Sequence, residues 1–176
     1  MPNLPTLRPD ASVLDIYKLD MRLGQPLIRY QQQLMRGPSP LSIEERELIA
    51  AYVSSLNACQ FCAGVHSAVA RRFGVEPSIL DRLIAGHAVE NMPPKLLSVL
   101  TFVRKLTLTP ARVVKSDADA VLAAGWDETA LYHAVSVCAL FNFFNRLVEG
   151  AGLEVAAIDV EVIASGLHSI GYEGRL

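Results

Sequence analysis

The sequence predicts an all-α protein, and three observations predict it. Apolar residues recur at helical rather than strand spacing, as in Val13, Ile16, Tyr17 and Leu23. Helix-start and helix-stop signals punctuate the chain at regular intervals. No run shows the strict alternation of a half-buried strand, and Arg112-Val113-Val114-Lys115 is too short to build a sheet.

The elements follow in order. Residues 13–23 read as a helix ended by Gly24, and Pro26 reads as the first turn of a second short helix reaching Arg36. Gly37-Pro38-Ser39-Pro40 is a break. Ser42 and Glu45 form a capping box for a helix toward Asn57, with Leu48, Ala51, Tyr52 and Ser55 on one side. After a tight Asn57-Ala58 connection, a helix runs from Cys59 to Gly74 with Arg71 and Arg72 in its last turn. Pro77 opens a helix reaching Gly86. Pro93-Pro94 starts the next, which Pro110 stops. Ser116 and Asp119 begin a short helix ending at Gly125. Asp127 caps the last long one, apolar on nearly every side until Arg146 and Glu149, which reads as the helix at the middle of the fold. Residues 154–170 are mixed. Gly74-Val75-Glu76-Pro77 and Gly125-Trp126-Asp127-Glu128 echo one another, a weak sign of two related helical units.

The 176 residues suggest one domain with a substantial core. Within it, residues 1–40 hold N-terminal helices, 41–75 a helical hairpin with the cysteine motif, 76–153 a second helical half and 154–176 a tail. Apolar residues make up 51% and charged residues 19%, which excludes general disorder. With 16 basic and 18 acidic side chains and no basic run, a nucleic-acid surface has little support. The proline-rich start lacks the apolar core of a signal peptide. The least polar stretch, 129–144, is shorter than a membrane span and contains His133, Ser136 and Asn142, so it reads as a buried helix. Three cysteines in such a chain fit the reducing cytoplasm, where a C-x-x-C pair is redox-active or metal-binding more often than structural.

The chemistry concentrates in residues 47–66. Cys59 and Cys62 have C-x-x-C spacing, and His66 follows Cys62 by four residues. On a helix advancing about 100° per residue these three share one face. A thiolate is the reactive form of cysteine, and helix N-termini and nearby imidazoles favour it. His66 could accept the Cys62 proton directly or through water, and Glu47, on the preceding helix, could fix the useful tautomer. Helix position alone favours Cys59 as the more acidic thiol. Three plainer readings stand beside this. The cysteines could be core packing. Cys59, Cys62 and His66, completed by Glu47 or His87, could form a structural zinc site. Each of the residues alone could be an ordinary helix residue. Cys138 reads as core, and His87, His133 and His168 carry no functional setting.

The segments 46–50, 54–57 and 59–66, with 102–107, 124–126 and Phe141-Asn142-Phe143-Phe144-Asn145-Arg146-Leu147, resemble the AhpD-like alkylhydroperoxidases of the carboxymuconolactone decarboxylase superfamily, nearest its peroxidase-related branch. The likeness spans roughly residues 15–155. It implies an AhpD-like helical bundle, homo-oligomeric subunits (dimer, trimer or hexamer) and a peroxide-reducing dithiol without cofactor or metal. Cys62 would attack the peroxide, Cys59 would resolve it, and His66 and Glu47 would relay the proton. An external dithiol, lipoyl or thioredoxin-like, would restore the pair. Better-characterised members carry a histidine before the second cysteine. Phe61 stands there instead, which implies weaker or redirected activity. Two rivals remain: a lyase or isomerase acting on a lactone, and a non-enzymatic redox sensor or zinc module. Asn142, Asn145 and Arg146 could line the pocket, hold an interface or satisfy buried backbone.

Overall fold

A computed structural model describes residues 1–85, 92–154 and 160–175, and among these every regular element is helical. Helix α1 (Val13–Leu19) and helix α2 (Met21–Arg36) meet at Asp20, which ends one and caps the other by accepting the Arg22 amide proton at 3.0 Å. This corrects two expectations. Gly24 does not end α1 but lies inside α2, where α1 crosses it closely: a Cβ at Gly24 would stand 2.7 Å from Tyr17 Cβ. Pro26 is likewise inside α2 rather than in its first turn. Its missing N–H leaves only the Arg22 carbonyl, near the start of the helix, without its usual partner.

Helix α3 (Ile43–Leu56) starts on the expected capping box, Glu45 N–H to Ser42 Oγ at 3.2 Å and Ser42 N–H to Glu45 Oε2 at 2.8 Å. Every residue from Arg46 to Ser54 is buried. Helices α2, α4 (Gln60–Arg72), α5 (Pro77–Ile84), α6 (Pro94–Leu108) and α8 (Glu128–Ala151) all pack on it. The central helix is therefore α3, not the more apolar α8, whose Tyr132 and Phe143 face outward. α3 tolerates burial all round because Ala50 and Ala51 allow close approach and its polar side chains are matched internally. Arg46 donates to Ser42 O, Leu34 O and Gly37 O, tying the end of α2 to the start of α3.

The connection into α4 is sharp. Ala58 has φ +56°, and the Cys59 N–H donates to Ser54 O at 3.0 Å. Asn57 Nδ2 donates to Asn142 Oδ1 (3.1 Å) and Asn145 Oδ1 (2.8 Å), and Asn145 Nδ2 donates to Ser54 Oγ (2.9 Å). Arg146 donates to Asn142 O and Oδ1. These residues hold the α3–α4 turn against α8.

Pro77, Pro94 and Asp127 start their helices as expected. Helix α7 (Lys115–Ala123) begins one residue before Ser116. Gly74 and Gly125, the two glycines of the internal echo, both take positive φ before a helix. The α5 helix ends at Ile84; Gly86 and His87 lie outside the described residues. Helix α8 is long and apolar enough to cross a membrane by length and composition, but half of its most apolar window is buried inside the protein. Helix α9 (Val160–Ile170) packs on α4 of the same chain. The apolar faces of both terminal regions are thus largely used from within: Ile16, Tyr17, Ile28, Ile163 and Leu167 are buried, while Leu23 and Val162 stay exposed.

Candidate active site

The α3–α4 hairpin sets the site's register. With Cys59 as the N-cap of α4, Cys62 sits in its first turn and His66 one turn further, beside α3. Glu47 is fully buried there, and His66 Nδ1 lies 2.7 Å from Glu47 Oε2. Two groups that the sequence reading did not single out meet the other carboxylate oxygen. Arg36 Nη1 donates to Oε1 at 2.6 Å and the Tyr172 hydroxyl at 3.0 Å.

These partners fix the charge of Glu47. Burial pushes its carboxyl up; His66 and then Arg36, by charge and hydrogen bonding, outweigh burial and hold it below the ordinary carboxylate value. Burial and the Glu47 charge keep the Tyr172 hydroxyl protonated and donating. A carboxylate only accepts, so the His66 proton sits on Nδ1 and leaves Nε2 as the basic nitrogen. That nitrogen has no hydrogen-bond partner among the described residues and is not sealed, so it opens to the cavity that His66 lines.

Arg36 is held by its surroundings as well as by Glu47. Its guanidinium lies 5.1 Å from the centre of the Phe73 ring and 5.0 Å from that of Tyr172, and Nη2 donates to Leu167 O at 3.1 Å. Its Nε is buried without a partner among the described residues. Tyr172 is placed by the turn before it. Gly171 takes φ +67°, and a Cβ there would stand 2.6 Å from Gln32 Oε1, the atom that accepts the Tyr172 amide at 2.8 Å.

The cysteines are both buried free thiols. Cys59 is pushed well above the usual thiol value, first by its hydrogen bond to Cys62, then by burial and the Cys62 charge. No direct His66–Cys62 hydrogen bond is present among the described residues. Both side chains line one cavity of about 70 Å³, room for more than one water. Its other walls come from α1 and its N-cap (Ser12, Val13, Leu14, Tyr17), α2 (Ile28, Gln31), α8 (Phe141, Phe144), α9 (Ile163, Leu167) and Tyr172, with Phe61 beside Cys62. The His66 ring packs edge-on to Phe141 at 4.4 Å.

The remaining candidates lie elsewhere. Cys138 is core, its thiol pushed up by burial and 3.3 Å from Thr107 Oγ1. His133 pairs with Ser39 Oγ at 2.8 Å, and the His168 ring packs at a tilt against Phe73. Among the described residues no three His, Cys, Asp or Glu side chains converge as metal ligands. Of the two residues offered as a fourth zinc ligand, His87 lies outside them and Glu47 is engaged by His66, Arg36 and Tyr172. Asn142, Asn145 and Arg146 serve the turn and do not line the cavity.

The carboxymuconolactone decarboxylase family profile matches residues 22–105, which contain Glu47, Cys59, Cys62 and His66. The fold is similar to that of an uncharacterized peroxidase-related protein from a Silicibacter species (TM-score 0.73, 26% identity, 81% of this chain and 74% of that one). It is also similar to an uncharacterized peroxidase-related protein with an alkylhydroperoxidase AhpD core from Ralstonia eutropha (TM-score 0.74, 20% identity, 87% and 91%). In sequence the chain is 25% identical over 147 residues to the uncharacterized protein YdfG of Bacillus subtilis, covering 84% of this chain and 97% of the relative. Just under half of the chain thus matches the carboxymuconolactone decarboxylase family, and its fold is similar to that of AhpD-core, peroxidase-related proteins.

Proposed function

We propose that the protein is a thiol-dependent peroxidase that reduces hydroperoxides through a Cys62/Cys59 dithiol–disulfide cycle. The observation that carries this reading is the buried Glu47–His66 pair, 2.7 Å apart, whose free imidazole nitrogen opens on the cavity that Cys62 lines. His66 Nε2 takes the Cys62 proton across that cavity. The thiolate attacks the outer oxygen of R–O–O–H, so that an S–O bond forms and the O–O bond breaks. Cys62 becomes a sulfenic acid, and the departing alkoxide recovers the proton from His66 as an alcohol. Cys59, held as a thiol beside Cys62, then displaces water from the sulfenic sulfur to form the disulfide. An external dithiol, lipoyl or thioredoxin-like, reduces it.

One feature weighs against turnover of a lactone acid at this site: the described residues that line the cavity include no lysine or arginine to meet a carboxylate. The decisive measurement is stopped-flow consumption of an organic hydroperoxide by the reduced protein. Native protein is expected to oxidise Cys62 rapidly, Cys62→Ser not at all, and Cys59→Ser to stop at a trappable sulfenic acid. Equal rates for native and Cys62→Ser would end the reading.

A further inference from the structure

We propose that Gln31, positioned by Tyr17, is a catalytic hydrogen-bond donor that binds the leaving oxygen of the hydroperoxide; this rests on the reading of Cys62 as the attacking thiol. Gln31 is only 7% exposed, yet it lines the cavity shared by Cys62 and His66. Its Oε1 accepts from the Tyr17 hydroxyl at 3.3 Å, and its amide nitrogen has no partner among the described residues. Among the described residues only Arg36 Nε is sealed without a partner, so the Gln31 amide nitrogen is open to the cavity and its hydrogens are available to an acceptor there. The Tyr17 bond fixes which end of the amide faces inward. With Oε1 on Tyr17, the NH₂ group points to the cavity. Were the amide reversed, its nitrogen would donate to the Tyr17 oxygen and free the Tyr17 hydroxyl hydrogen for the same task. The pair presents a donor either way.

The other lining groups cannot take that role. The Ser12 hydroxyl is already bonded to Asp15 Oδ2 at 2.9 Å, and the Tyr172 hydroxyl to Glu47. Phe61 and Val65 offer no donor beside Cys62. His66 must accept the thiol proton before it can return one. When Cys62 sulfur bonds to the outer oxygen and the O–O bond breaks, negative charge develops on the inner, leaving oxygen. A preorganised donor there lowers that barrier until His66 delivers the proton. The balance of the step is unchanged: Cys62 is oxidised by two electrons to the sulfenic acid and the hydroperoxide is reduced to the alcohol.

The test compares native protein, Gln31→Leu, Gln31→Met and Tyr17→Phe, all fully reduced, in single-turnover oxidation of Cys62. Cumene hydroperoxide leaves as a basic alkoxide and peracetic acid as a stable carboxylate. Iodoacetamide reports the Cys62 thiolate without any O–O cleavage. The Gln31 variants should react about 10- to 100-fold more slowly with cumene hydroperoxide, as expected for losing one hydrogen bond to a charged oxygen. They should lose less than about threefold with peracetic acid and keep the native pH profile of alkylation. Tyr17→Phe should show the same pattern at about 3- to 10-fold, because it only turns the amide. Losses equal for all three reagents, or none, would overturn the proposal. Native protein that alkylates normally but reduces neither oxidant would instead overturn the peroxidase reading beneath it.

Discussion

Helix α3 buries a charge in its first half and amides at its end, and the two clusters behave differently. Around Ser54 and Asn57 each amide group meets a neighbour in Asn142, Asn145 or Arg146, so the cluster is closed and its only charge, on Arg146, is exposed. Around Glu47 both carboxylate oxygens are met, but His66 Nε2 is left open to the cavity and Arg36 Nε has no partner among the described residues. A closed cluster can only hold a turn in place. An open one, arranged around a fixed charge, keeps a capacity to exchange protons.

The sharpest way to break this contrast is at Cys62, whose side chain lines the same cavity as His66. Cys62→Ser should lower hydroperoxide reduction by at least about a thousandfold while leaving the melting transition nearly unchanged, measured by peroxide consumption and calorimetry side by side. Next, Glu47→Gln should destabilise the fold by about 3–5 kcal/mol in denaturant titrations, because it strands the Arg36 cation, whose side chain is 10% exposed. Asn145→Ala should cost about 1–3 kcal/mol through unmet hydrogen bonds to Asn57 and Ser54.

Titration separates the two losses. Glu47 has a folded-state pKa below its unfolded value, so its contribution is present above the ordinary value of 4.5 and disappears as pH falls through the lower, folded value. The stability gap between native and Glu47→Gln should therefore shrink toward low pH, while that for Asn145→Ala stays constant. A gap for Glu47→Gln that ignores pH would mean the cluster is held by shape, not charge. The smallest effect is expected at Ala58, whose φ of +56° suits glycine: Ala58→Gly should add about 0.5–1 kcal/mol without altering peroxide kinetics.

Much of the helical frame was legible because its signals are local. The Ser42–Glu45 box, Pro77, Pro94 and Asp127 mark helix starts within a turn of the residues they govern. Glu47, Cys59, Cys62 and His66 were legible for the same reason, lying within one hairpin. Arg36, Tyr172, Tyr17 and Gln31 were not, because their relation to the hairpin exists only after α1, α2 and α9 pack on it. Tyr17 and Gln31 did sit among apolar residues on helical faces, the one faint signal that both are buried. The central helix was misread because Arg46, Glu47 and Ser54 make α3 look less buried than α8, and nothing local reveals that tertiary partners neutralise them. Gly24 was misread as a stop because a glycine that permits close helix crossing looks the same as one that terminates a helix.

Tyr172 reaches back across 125 residues to grip Glu47. On a ribosome the cysteine motif emerges long before this clasp. A nascent chain therefore carries Glu47 and His66 before Tyr172 can reach them, and the carboxylate gains its full set of partners only when the turn at Gly171 closes onto α3.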